Sequence, residues 1–272
     1  MTADLHIHTH FSDGTFAPER VVAAALEADL ACIAITDHDS TDGIGPALRA
    51  AAGRLEVLPG IEISTELEDE EVHILGYLLD FERPGVKKTI EEMRRIRVER
   101  IHLICRKLKK LDIPLEAEEV FAASGPGSVG RLHVAQALRK RGFVATLGEA
   151  FAKYIGNRGP AYVGKFKMTP SEAIRWIRQN AGVSVLAHPY TLSDKALIAD
   201  FVKAGIMGLE VYYPEHTAFQ TQEYLKMAGQ YGLLVTGGSD FHGEAKANIK
   251  VGTTRVAYEH VERLKAARCG LT

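Results

Sequence analysis

Histidine and carboxylate residues stand at the ends of nearly every predicted strand in this chain of 272 residues. His6 and His8 lie two apart in the first predicted strand, and strand alternation places both side chains on one face. The same placement recurs at Asp13, Asp37-His38-Asp39, Glu62, His73, His188 and Asp240-Phe241-His242. Because the strand ends of a barrel converge on one rim, these side chains are expected to share one pocket.

Such a pocket would favour divalent cations. Carboxylates crowded together repel one another and raise their own pKa values, and bound cations remove that cost. The set is larger than one ion needs, so the sequence predicts two or three ions held by imidazole and carboxylate ligands.

The composition agrees with a metal site built without cysteine. The chain has 11 His but only 3 Cys, and Cys32, Cys105 and Cys269 fit neither a disulfide framework nor a cysteine-based zinc motif. Its 46% apolar and 25% charged residues exclude a disordered, collagenous or coiled-coil chain. No apolar run approaches the ~20 residues of a membrane span and no secretory leader is visible, so we expect a cytoplasmic protein without membrane contact.

Positioning these residues requires strands that alternate with helices. Short β-rich runs predict strands at residues 5–8, 32–36, 57–64, 72–79, 183–187, 207–212, 233–236 and 251–256. Helical patterns are predicted between them at 18–30, 43–52, 169–180, 194–204, 217–231 and 258–268. This alternation predicts βαβ units with a parallel sheet, and seven or eight units predict an α/β fold with a closed or distorted barrel.

One stretch, residues 84–167, lacks predicted strands and has helical patterns only. We interpret it as a helical insertion in a barrel formed by residues 1–83 and 168–272. The insertion has 18 Lys or Arg and 8 Asp or Glu, whereas the rest of the chain has 15 basic and 27 acidic residues. Any one of its basic residues is equally well explained as part of a solvated helix face, but the asymmetry as a whole favours an anionic partner.

Six motifs in order and spacing resemble the PHP (polymerase and histidinol phosphatase) superfamily. They are Asp4-Leu5-His6-Ile7-His8-Thr9, Ser12-Asp13-Gly14-Thr15, Thr36-Asp37-His38-Asp39, Pro59-Gly60-Ile61-Glu62, Ala187-His188-Pro189 and Gly238-Ser239-Asp240-Phe241-His242. The resemblance implies a distorted seven-stranded (β/α) barrel with a trinuclear metal site. It implies that the first ion is held by His6, His8, Glu62 and Asp240, the second by Asp13, His38 and His242, and the third by Glu62, as a bridge, with His73 and His188.

The donor at Asp13 bears on which metal the site would prefer. Some members of the superfamily have histidine at this position, and an oxygen donor there favours manganese, with zinc or iron as alternatives.

The barrel with its insertion further resembles the nucleoside 3′,5′-bisphosphate phosphatase group, some of whose members trim short 5′-phosphorylated RNA from the 5′ end. Residues 128–135, 157–163 and 209–214 carry this resemblance, although Leu132 stands where that group has proline.

Paired divalent ions suit phosphoester hydrolysis, because they turn a bound water into hydroxide near neutral pH and hold the attacking and leaving oxygens in line. Arginine binds phosphate through two parallel hydrogen bonds, which nominates Arg131 and Arg158 for the substrate phosphates. His133 is a candidate leaving-group acid or phosphate contact. The alternatives are surface salt bridges for the two arginines and a helix-surface position for His133.

The favoured hypothesis is a metal-dependent phosphoesterase that removes the 3′-phosphate of nucleoside 3′,5′-bisphosphates, with 5′–3′ trimming of short RNA as a second activity. The expected partners are therefore a phosphorylated nucleotide and short RNA, with no obligate protein partner.

Three other hypotheses are weighed against it. Histidinol phosphate carries a cationic amine, which suits a basic insertion poorly. An amidohydrolase barrel usually bridges its metals with a modified lysine, where this chain has Glu62. A non-catalytic nucleic-acid-binding or polymerase-associated module would be expected to lack ligands, and we expect no polymerase domain in a chain that ends at Thr272.

Overall fold

Eight strands form a nearly closed barrel in the computed structural model, which describes residues 1–68, 70–124, 127–164 and 168–270. The strands are β1 (Thr2–Ile7), β2 (Cys32–Ile35), β3 (Glu56–Leu67), β4 (Glu70–Tyr77), β5 (Val183–Leu186), β6 (Gly208–Tyr212), β7 (Leu234–Gly237) and β8 (Val256–Ala257). Their order in the sheet is β7-β6-β5-β4-β3-β2-β1-β8. A further bridge between Ile7 and Phe241, with the His8 amide donating to the Phe241 carbonyl, draws β1 toward the segment after β7. The predicted α/β barrel is thereby confirmed.

The expectation of a wholly parallel sheet is wrong at two strands. β1, β2 and β3 run parallel, as do β5, β6 and β7, but β4 is antiparallel to both of its neighbours. Only two residues separate β3 from β4, and a parallel crossover needs a dozen or more. β8 pairs antiparallel with β1 and is much shorter than the predicted strand at 251–256, because Lys250 to Thr253 form a turn with Gly252 at φ +75°.

Helices pack on the outside of the sheet and in the segment between β4 and β5. They are α1 (Pro18–Glu27), α2 (Ile44–Ala51), α3 (Pro84–Lys109), α4 (Ala117–Ser124), α5 (Arg131–Lys140), α6 (Leu147–Ala150), α7 (Pro170–Gln179), α8 (Leu197–Ala204), α9 (Ala218–Tyr231) and α10 (Tyr258–Cys269). A π-helical turn at Phe151–Ile155 continues α6, and short 3₁₀ turns follow at Pro189–Thr191 and Gly243–Lys246. Among the described residues, no helix is both long enough and apolar enough to cross a membrane.

The segment from α3 to the π-helical turn has an apolar core of its own. Ile104, Leu108, Val134 and Leu138 are fully buried within it. The first turns of α3 behave differently, because Val86 packs with the barrel core. The end of the predicted insertion falls on residues 165–167, which lie outside the described residues.

Candidate functional site

The nine residues expected to bind metal lie together at the carboxyl-end rim of the barrel. They come from β1 and the loop after it (His6, His8, Asp13), the end of β2 (His38), β3 (Glu62), β4 (His73), the end of β5 (His188) and the segment after β7 (Asp240, His242). Parallel strands bring their carboxyl ends to one rim, and β4 contributes His73 although it runs the other way.

Four side chains converge in the first group, and all four are buried. The Nε2 atom of His6 lies 3.2 Å from that of His8 and 3.3 Å from Oε2 of Glu62. The Nε2 atom of His8 lies 3.1 Å from the same oxygen and 3.2 Å from Oδ1 of Asp240. Donor atoms spaced in this way around one point can hold a single divalent ion.

The other oxygen of Glu62 faces a second pair of imidazoles. Oε1 lies 2.9 Å from Nδ1 of His73 and 3.0 Å from Nε2 of His188, and these two nitrogens are 3.2 Å apart. Glu62 therefore offers one oxygen to each of two neighbouring groups of donors, as a bridging carboxylate would.

The group around Asp13 is looser. Its Oδ1 lies 3.2 Å from Nε2 of His242, and its Oδ2 lies 3.8 Å from Nε2 of His38. His8 also belongs to this group, and His38 forms a further group with Glu62 and His73. His8 and His38 therefore each belong to two groups of donors, whereas the family resemblance implied that only Glu62 is shared.

The arrangement of these donor atoms suits the binding of metal ions better than it suits hydrogen bonds among the atoms themselves. Oδ1 of Asp13 and Nδ1 of His38 are buried and make no well-directed hydrogen bond in the part of the chain that the structure describes, although they lie 3.2 Å from Nε2 of His242 and from Oε2 of Glu62, respectively. Buried polar atoms are normally paired, so unpaired ones facing a shared space call for a ligand. Imidazole nitrogen and carboxylate oxygen are common donors to first-row divalent metals.

The electrostatics of the cluster also favour bound cations. Burial would raise the pKa of Glu62, but the imidazoles of His38 and His73 outweigh this effect and hold it well below its usual range. Burial lowers the pKa of His8, but the facing carboxylates of Asp240 and Glu62 raise it to about 9. The carboxylates therefore attract positive charge to this rim. Without metal, protons on the imidazoles supply that charge, and bound metal ions would displace those protons.

Two of the imidazoles, those of His6 and His73, are oriented from behind by carboxylates that sequence reasoning missed. Glu210 on β6 lies 2.9 Å from Nδ1 of His6 and accepts a 2.7 Å hydrogen bond from the His188 amide. Glu71 lies 2.8 Å from Nε2 of His73. Such partners fix the orientation of a metal-binding imidazole. Glu71 had a detectable signal, because a residue two positions from His73 in a strand lies on the same face.

Asp240 is held in the same manner. Its Oδ2 accepts hydrogen bonds from the Tyr213 hydroxyl at 2.6 Å and from the Lys246 ammonium at 2.5 Å, which leaves Oδ1 directed toward His6 and His8. Neither partner was expected from the sequence.

A cavity of about 960 Å³ opens beside His73 and His188 and is also lined by Arg131 and Arg158. Arg131 begins α5, pairs with Glu71 and donates to Oδ1 of Asn157 at 2.8 Å. Arg158 is exposed. Both arginines thus line the same cavity as His73 and His188, and Arg131 forms a salt bridge there with the largely buried Glu71.

His133 lies on α5 and is only 3% exposed, so the alternative of a helix-surface position is wrong. Its Nδ1 accepts a 3.0 Å hydrogen bond from the Gly130 amide. In the neutral imidazole the proton is therefore on Nε2.

The chain is similar over most of its length to proteins of one family. The PHP domain family model matches residues 4–153. A 5′-3′ exoribonuclease of Salmonella typhimurium is 36% identical over 248 residues, which cover 88% of this chain and 84% of the relative. A 3′,5′-nucleoside bisphosphate phosphatase of Chromobacterium violaceum is 32% identical over 266 residues, covering 92% and 90%.

Two solved structures share the fold across almost the whole chain. A protein of Bifidobacterium adolescentis, put forward as a metal-dependent phosphoesterase, has a TM-score of 0.88 and 30% identity, with 97% of this chain and 95% of the other covered. A protein of Chromobacterium violaceum, named as an amidohydrolase, has the same score and identity, covering 98% and 97%. Taken with the clustered donors at the barrel rim, these matches show that the chain belongs to the PHP domain family and is a metal-dependent phosphoester hydrolase.

Proposed function

We propose that this chain removes the 3′-phosphate of nucleoside 3′,5′-bisphosphates and also trims short 5′-phosphorylated RNA from its 5′ end. The observation that carries the proposal is the cavity that Arg131 and Arg158 line together with His73 and His188. A substrate with two phosphates can place one at the arginines and present the other to the metal cluster. A single phosphate can occupy only one of these positions.

The ligands we propose are the nine residues of the cluster, with Glu62 as the bridge. Two or three divalent ions would be held there, and manganese is our first choice because Asp13 supplies oxygen. Such ions lower the pKa of a coordinated water and stabilise the negative charge that develops on the phosphoryl group.

The protein's own groups would bind and orient the substrate. Arg131 is anchored by Asn157 and Glu71, so its guanidinium plane is fixed before a phosphate arrives. A planar guanidinium in a set position can pair with two phosphate oxygens at once, which a lysine cannot do. His133 would hold a proton at Nε2, where it is available to a leaving oxygen or to a phosphate oxygen.

We further propose that residues 84–167 act as a cap that attracts the substrate. Their excess of basic over acidic residues contrasts with the acidic remainder of the chain. A positive cap over an acidic barrel raises the local concentration of anions and favours nucleotides over substrates that carry an amine.

The test is phosphate release with Mn²⁺ from four compounds: a nucleoside 3′,5′-bisphosphate, a nucleoside 5′-monophosphate, histidinol phosphate and a short 5′-phosphorylated RNA, with RNA products resolved by length. We expect rapid release from the bisphosphate, little from the monophosphate, and mononucleotides leaving the 5′ end of the RNA. Arg158→Gln should raise KM for the bisphosphate, whereas Arg141→Gln, in an exposed pair with Glu119, should leave it unchanged. Preference for histidinol phosphate would overturn the proposal.

A further inference from the structure

Glu71 connects two parts of the site that sequence reasoning treated separately. Its Oε1 lies 2.8 Å from Nε2 of His73, and its Oε2 pairs with the guanidinium of Arg131. The side chains of Glu71 and Arg131 are only 12% and 13% exposed. The pair is therefore shielded from solvent, where a charged hydrogen bond is stronger than at an open surface.

This arrangement fixes the protonation of the imidazole. Nδ1 of His73 faces Glu62 and His188, so it must be unprotonated to bind a metal. The proton is then on Nε2, and Glu71 is the acceptor that keeps it there. A carboxylate in this position sets the orientation of the ring and increases the basicity of the metal-binding nitrogen.

Glu71 differs from Glu210, the other carboxylate behind the cluster. Glu210 is fully buried in the barrel and holds His6 and the His188 amide, both parts of the barrel itself. Glu71 lies in the cavity wall and its second oxygen reaches across to α5. Because Glu71 contacts both His73 on β4 and Arg131 on α5, it fixes the position of one relative to the other.

We propose that Glu71 is a positioning residue that holds His73 for the metal and Arg131 for the substrate phosphate in one fixed arrangement. The part concerning Arg131 rests on the proposed function, and the part concerning His73 does not. One carboxylate thereby makes the geometry of the phosphate site depend on the geometry of the metal site.

The first arm of the test measures metal binding without any substrate. Protein stripped with a chelator is titrated with Mn²⁺ in a calorimeter. Glu71→Ala should weaken at least one Mn²⁺ site by about 10–100-fold, the usual effect of losing such a partner. Glu71→Gln should keep the affinity within about 3-fold of wild type, because the amide oxygen can still accept from Nε2 of His73.

The second arm measures kinetics on the nucleoside bisphosphate with saturating Mn²⁺. The amide nitrogen of Glu71→Gln would face the Arg131 guanidinium and repel it, so KM should rise about 10-fold while kcat changes little. Arg131→Gln should raise KM similarly, and the double variant should be no worse than Arg131→Gln alone. Glu119→Gln, which breaks the exposed pair between α4 and Arg141 at the end of α5, is the matched control.

The outcomes separate the two proposals. If the bisphosphate is not hydrolysed by wild type, the proposed function fails, yet the Mn²⁺ titration still decides the role of Glu71 toward His73. If Glu71→Ala lowers the Tm but leaves Mn²⁺ affinity unchanged, Glu71 is merely structural and the inference is overturned. Independent, additive effects of Glu71→Gln and Arg131→Gln on KM would overturn the link to the phosphate site.

Discussion

Among single residues, Glu62 lies within 3.3 Å of five imidazoles of the cluster, those of His6, His8, His38, His73 and His188. Its two oxygens face different imidazoles, with His6 and His8 on one side and His73 and His188 on the other. It is 1% exposed, so water cannot replace an oxygen that is lost. A change at this position should therefore disturb more than one metal ion.

The corresponding prediction concerns Glu62→Gln, which keeps the shape of the side chain but replaces one oxygen by an amide nitrogen that cannot bind a cation. We expect kcat/KM to fall about 10³-fold or more. The proposed metal ligands act as one unit, and in such a unit the loss of one member costs nearly as much activity as the loss of all. Metal content measured on the purified protein should fall as well. Glu259→Gln, in an exposed pair with Arg263, should change neither quantity. Full activity in Glu62→Gln would contradict the ligand assignment.

Among the elements, α3 is tied to the metal rim by a buried ion pair. Arg97 is 3% exposed and contacts Oδ2 of Asp39 at 2.5 Å, next to His38. It also donates to the Val129 carbonyl at 3.0 Å and to the Ser64 hydroxyl at 2.9 Å. One side chain thus joins the long helix to the end of β2, to β3 and to the loop before α5.

Removing this arginine should destabilise the protein strongly. Arg97→Met leaves Asp39 buried without its partner, and breaking a pair of this kind costs about 3–5 kcal/mol. Arg94→Met, one turn earlier in α3, breaks an exposed pair with Asp42 and should cost less than about 1 kcal/mol. Urea unfolding of both variants measures the difference, and equal losses would show that Arg97 does not secure the helix.

The elements also show how far sequence reasoning reaches. The start of α7 was predictable, because Thr169 and Glu172 form the expected reciprocal capping contacts. The clustering of the proposed ligands was predictable where they follow the ends of parallel strands, because strand ends share a rim, whereas Glu62 and His73 lie within β3 and β4. The direction of β4 was missed, since hydrophobic alternation is the same for parallel and antiparallel strands and only the short connection to β3 reveals it.

The residues behind the ligands were harder to predict for a different reason. Glu210 and Tyr213 reach the site from β6 and the residue after it, far along the chain from His6 and Asp240, whereas Lys246 follows Asp240 by six positions in the 3₁₀ turn at Gly243–Lys246. Their roles depend on the packing of distant elements. Sequence alone identifies donors to a metal more readily than it identifies the groups that orient them.

At the scale of the whole molecule, the acidic barrel concentrates negative charge at its rim, and metal binding should stabilise the fold. A ligand that binds only the native state adds about 2.7 kcal/mol for each site at a concentration 100 times its Kd. We expect a chelator to lower the Tm and added Mn²⁺ to restore it. The same treatment should shift the Tm of Asp240→Ala much less. A Tm that does not respond to chelation in wild type would contradict a native-state metal site.

The division of charge between the barrel and residues 84–167 makes a final prediction about ionic strength. Exposed basic residues such as Arg106 and Lys109 lie on α3, and their charges are screened beyond a Debye length of about 10 Å at 0.1 M salt. For single-stranded nucleic acid the logarithm of affinity falls with the logarithm of salt by about 0.7 for each phosphate neutralised. If the helix attracts RNA, kcat/KM should therefore fall more steeply with salt for a 5′-phosphorylated pentanucleotide than for a nucleoside bisphosphate. Lys109→Glu should reduce the slope for the pentanucleotide alone, and identical slopes for both substrates would limit the role of the basic cap to small nucleotides.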